Sequence, residues 1–86
     1  MVEHSQAELE QLIENEKRLA ALEVHTEAWN DGLLEGIDAS IMADTAIATA
    51  LQETIALVGE DEALAMLDAL RERLAAGEFS KNRVLQ

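Results

Sequence analysis

Leu12, Asn15, Leu19, Leu22, Thr26, Trp29 and Leu33 follow one another at alternating intervals of three and four residues. This spacing is the strongest constraint on the fold. It lays seven side chains, five of them apolar, along one face of a helix, whereas a strand would require apolar positions two apart. The rest of the chain agrees with that choice. It has no Pro, no Tyr, one Phe and one Trp. Packing is left to Leu, Ile, Val, Met and Ala, which suit gaps between helices better than a pleated sheet.

Read in order, the pattern predicts an all-α chain that forms a short helical bundle. Ser5 and Glu8 stand at capping-box spacing and open a first helix over about 5–35. On its outer face Glu14 can meet Lys17 and Arg18. Two sites could end this helix, Asn30-Asp31-Gly32 and Gly36-Ile37-Asp38. The second is favoured: Gly36 suits a left-handed C-terminal position, Ile37 sits just outside both helices, and Asp38 can cap a second helix. The first keeps a claim, because Leu34, Ile37, Ile41, Ala48, Leu51, Ile55 and Val58 would then make one seam. A single helix through both sites is a third option.

The second helix is expected over about 39–58, presenting Ile41, Ile47, Ala48, Leu51, Ile55 and Val58 and ending at Gly59. Asp61 is then read as the cap of a third helix, about 62–76, with Leu64, Leu67, Leu70 and Leu74 on one face and Met66 at its edge. Arg71 and Arg73 lie near its end, where cations complement the helix dipole. Gly77 closes it, and residues 77–86 form a tail without a clear period. The 86 residues make one domain, with no linker or repeat.

The expected lengths do not match. Helix one spans roughly 46 Å and helix two about 30 Å. In an antiparallel hairpin turning at Gly36 to Asp38, Leu33 would face Ile41, Thr26 would face Ala48 and Leu19 would face Ile55. Helix two would run out near Glu16. Leu9, Leu12 and Ile13 are then left uncovered, and burying a Leu or Ile is worth roughly 1.5–3 kcal/mol. A second copy is the simplest cover, so a homodimer is expected.

Charge narrows the partners. Eighteen acids against six bases give a net charge of −12, with −8 on residues 1–38 alone. Such a chain repels nucleic acid phosphates and anionic lipid. No apolar run approaches the 18 or so residues of a membrane span, and the polar start lacks the features of a secretion signal. A cytoplasmic location is expected, without nucleic acid or membrane as partner. The absence of Cys removes disulfides, thiolate chemistry and Cys-based metal sites.

Three further groups invite a role. Glu23, Glu27, Asp31 and Glu35 form an i, i+4 ladder of like charge, each step costing an isolated helix roughly 0.2–0.5 kcal/mol. The ladder is either a solvated face or a docking stripe for a basic partner, including Lys81 and Arg83 of the tail. His25 borders the seam beside Trp29, and in the hairpin register Asp44 lies level with Trp29, so these three are expected as a buried polar cluster. Ala28, Gly32, Gly36 and Ser40 recur every fourth residue, as a tight helix contact or as turn residues.

Enzyme templates are not met: there is no Glu-x-x-His, no His-Glu-x-x-His, no phosphate-binding Gly loop and no Gly-x-Ser-x-Gly. No enzyme, no cofactor and no metal is expected. The order Trp29-x6-Gly36-Ile37-Asp38, then Val58-Gly59-Glu60, then Leu70-x2-Arg73-Leu74-x2-Gly77-Glu78-Phe79 resembles that of small all-helical bacterial proteins. The resemblance implies a helical fold and carries over no activity and no site. The expected function is non-enzymatic protein binding, as a small acidic adaptor or regulator acting as a homodimer. The alternatives are a nucleic-acid-mimicking inhibitor of a DNA- or RNA-binding protein and a structural subunit of a larger assembly.

Overall fold

A computed structural model of the chain describes residues 5–80. The protein is all-α: α1 spans Gln6–Leu34, α2 Ala39–Val58 and α3 Glu60–Ala75. Among the described residues there is no strand. Residues 81–86, including Lys81 and Arg83, lie outside the described residues, as does the part of the expected tail that they make up. By internal contacts the chain divides into two compact units, Met1–Ala43 and Asp44–Gln86.

The first unit opens on the expected capping box. The Glu8 N–H donates to the Ser5 hydroxyl at 3.1 Å and the Ser5 N–H donates to the Glu8 carboxylate at 2.8 Å, satisfying two backbone donors reciprocally. From there α1 continues unbroken through Asn30-Asp31-Gly32, so the break falls at the favoured site. Glu35 is the last helical-region residue, and Gly36 comes next at φ 91°. The Gly36 N–H donates to the Leu33 carbonyl at 3.0 Å and the Ile37 N–H to the Gly32 carbonyl at 3.1 Å. This is the Schellman arrangement, which closes two carbonyls that the helix end would otherwise leave open. The Asp38 carbonyl then accepts from the Ile41 and Met42 N–H groups, starting α2.

In the second unit a single residue separates two helices. Gly59 donates its N–H to the Ile55 carbonyl at 2.9 Å, finishing α2, and accepts at its own carbonyl from the Ala63 N–H at 3.3 Å, starting α3. It is the N-cap, at φ 95° and ψ 172°, with no side chain to contribute. The reading of Asp61 as the cap is therefore corrected. One residue serves both helices, so α3 begins two residues earlier than the spacing suggested. Asp61 lies instead within the first turn beside Glu60 and Glu62, where three carboxylates complement the positive end of the helix dipole.

The end of α3 repeats the device seen after α1. Gly77, at φ 85°, donates to the Leu74 carbonyl, and the Glu78 N–H donates to the Arg73 carbonyl at 3.1 Å. Arg73 ties this corner together. Its Nε donates to the Glu78 carboxylate at 2.8 Å, and its guanidinium stands 4.8 Å from the centre of the Phe79 ring. The residues Arg73, Gly77, Glu78 and Phe79 thus account structurally for the last of the recurring sequence features.

Candidate interaction surfaces

The side chains that helix formation places on the surface define the candidate sites, because the single chain encloses very little. Among the described residues only Gly32 and Ala63 are buried, and nineteen large apolar residues are exposed. Leu9, Leu12 and Ile13 are among them. Exposure continues along the α1 seam through Leu19, at 63%, and Leu22, at 60%. α2, the most apolar of the helices, has no buried residue. The pattern therefore extends well beyond the three residues that helix lengths had singled out.

The ladder Glu23, Glu27, Asp31 and Glu35 is exposed throughout. Successive members are about 6 Å apart along the axis, four residues at 1.5 Å. Its last member is the C-cap of α1, and the last turn of that helix carries no basic residue. The ladder ends at the negative pole of the helix dipole, which compounds the local field. A short relief of this charge comes one and a half turns earlier, where Arg18 donates from Nε and Nη2 to the Glu14 carboxylate, the shorter bond being 2.7 Å.

His25, Trp29 and Asp44 were expected as a buried polar cluster. In the single chain His25 and Asp44 are exposed and Trp29 is half-buried. The correction is one of solvation: an exposed carboxylate keeps its water and needs no indole or hydroxyl donor. No buried polar or charged residue occurs among the described residues.

The small-residue repeat resolves into two different roles. Gly36 is a turn residue by its positive φ. Gly32 lies inside α1 and is buried, and a Cβ built on it would come within 2.5 Å of the Met42 Sδ and 2.6 Å of its Cε. Gly36 meets the turn reading; Gly32 packs against a side chain, while Ala28 and Ser40 are exposed, so the four do not act as one contact stripe. The obstructing atoms are the far end of a flexible thioether, which can turn aside, while Ala gains about 1 kcal/mol of helix propensity over Gly. Gly32→Ala is therefore expected to change stability by no more than about 0.5 kcal/mol. Gly32→Leu, which a turn of Met42 cannot accommodate, should cost about 1–3 kcal/mol. Urea melts of the two variants check the pair.

Two surfaces were not visible in the spacing. One is an open apolar cleft of about 250 Å³ within the second unit, lined by Leu51, Ile55, Glu60, Ala63, Leu64 and Leu67. Ala63 forms its floor, 4% exposed. A small residue flanked by Leu64 and Leu67 would have signalled it. The other is α2 itself, whose 20 residues are long and apolar enough to cross a membrane. The expectation that nothing approaches a span is corrected on that point. Continuous apolar runs are short in α2, but its many Ala residues raise the hydropathy over the whole helix. The helix carries two acids, Asp44 and Glu53, and no Lys or Arg lies between Arg18 and Arg71.

Among the described residues no group of three or more His, Asp or Glu side chains is placed to hold a metal ion. No protein-family model, curated protein or solved structure matches the chain.

Proposed function

We propose that this chain is a non-enzymatic protein–protein interaction module, a small acidic adaptor or regulator that acts as a homodimer. The observation that carries the reading is that, among the described residues, nineteen large apolar residues are exposed and only two small ones are buried. On this reading α2 is a contact face rather than a span, because Asp44 and Glu53 are tolerable at the rim of a protein interface.

Light scattering at micromolar concentration should give a mass near twice 9.4 kDa. Dilution should lower both the melting temperature and the helical signal, since an obligate dimer has no stability independent of concentration. A fully helical monomer whose melting temperature ignores dilution would overturn the proposal. Growth in mass beyond the dimer would favour a structural subunit instead.

The evenly spaced, exposed ladder of Glu23, Glu27, Asp31 and Glu35 supports a second reading, a nucleic-acid mimic that occupies a basic groove. Partner binding that collapses between about 50 and 200 mM salt selects the mimic. Binding that persists selects the apolar adaptor.

A further inference from the structure

Resting on the homodimer reading, we propose that the occupant of the exposed α1 seam is the same seam of a second copy, running parallel and in register. The seam supplies a heptad frame. Leu12, Leu19, Thr26 and Leu33 take one core position, and Asn15, Leu22 and Trp29 take the other. Leu12, Leu19 and Leu22 are exposed in the single chain, so this face is available to a partner.

Charge decides the direction. The frame places Glu16 and Glu23 on one flank of the seam and Arg18 and His25 on the other. Parallel helices bring each flanking residue opposite the partner residue five positions further on. Arg18 of each chain then faces Glu23 of the other, twice per dimer. Antiparallel helices instead set like flank against like, Glu16 against Glu23 and Arg18 with His25 against themselves. In a chain with only two bases on α1, that arrangement spends the acids against each other. The Arg18 side chain is 74% exposed, and its bonds to Glu14 come from Nε and Nη2. Further guanidinium donors remain for a second carboxylate.

Because the chain has no Cys, one introduced thiol reports orientation cleanly. Leu12→Cys and Leu22→Cys should each form an interchain disulfide under mild oxidation, since a parallel pair sets every seam residue beside its own copy. Val24→Cys, on the outer flank, should not. An antiparallel pair can place at most one of the two seam positions opposite itself, so failure of either variant to cross-link in a protein that is dimeric by light scattering overturns the orientation alone. A monomer by light scattering overturns the dimer reading and this proposal together. As an independent readout, Arg18→Glu should weaken dimerisation about tenfold, and Arg18→Glu combined with Glu23→Arg should restore it. Equal dimerisation in all three proteins would also overturn the pairing.

Discussion

Replacing Gly59 with Ala is expected to lower stability by about 2–3 kcal/mol, the largest effect of any single methyl group in this chain. Gly59 stands at φ 95° and ψ 172°, a backbone region that only glycine occupies without strain. A Cβ there would meet nothing within 4 Å, so the cost is conformational and cannot be relieved by repacking. A domain of this size is stabilised by about 4–13 kcal/mol, at 0.05–0.15 kcal/mol per residue. The substitution would therefore remove a substantial share of the total. Gly36→Ala, at another positive φ, should cost about 1–2 kcal/mol. The decisive control is D-alanine introduced by chemical synthesis. For a D-residue the Gly59 conformation is the mirror image of an ordinary extended one, so the loss should disappear. Urea melts of the L- and D-Ala proteins that coincide would show that the positive φ does not hold the corner between α2 and α3.

The same corner shows where the sequence was legible and where it was not. Each terminator was readable: Gly36, Gly59 and Gly77 are glycines after helical patterns, and all three adopt positive φ. The Ser5 capping box was readable because both its partners are local. The start of α3 was misplaced because an acidic residue before a helix looks like a cap. A glycine can do the same through its backbone alone, leaving no side-chain signature. Gly32 was ambiguous for a related reason. Its small size is visible in the sequence, but whether it serves a turn or a neighbour depends on Met42, ten residues away and outside the apolar seams of α1 and α2.

The candidate site divides in the same way. Helix lengths single out Leu9, Leu12 and Ile13, but exposure among the described residues also includes Leu19, Leu33, Ile41 and Ile55, which the expected hairpin register paired with one another. Enclosure of His25 and Asp44 depended on a register between helices that no local pattern specifies, and both residues prove to be exposed. The cleft over Ala63 likewise needs two helices and the bend at Gly59 before it exists. What the sequence did carry is the imbalance between apolar side chains and places to put them. With one Trp, one Phe and 49% hydrophobic residues on 86 positions, the chain is rich in apolar surface and too short to enclose much of it.

That imbalance makes the second large effect testable at single residues. Leu19 and Leu22 are 63% and 60% exposed in the single chain. If they remained so in solution, truncation to Ala would change stability by no more than about 0.5 kcal/mol, as surface substitutions do. A Leu covered by a partner behaves as a core residue, and its truncation costs about 2–5 kcal/mol. Leu19→Ala and Leu22→Ala are each expected to cost about 2–3 kcal/mol per chain in urea melts at tens of micromolar protein, and each copy contributes its own loss to the dimer. Val24→Ala removes a side chain of nearly the same exposure, 64%, from the opposite side of the heptad frame, so it should leave stability unchanged. The contrast separates covering by a partner from any general effect of lowering apolar content on α1. Equal, negligible losses at all three positions would mean that the seam stays in water, and the adaptor reading would then have to rest on α2 and the cleft over Ala63.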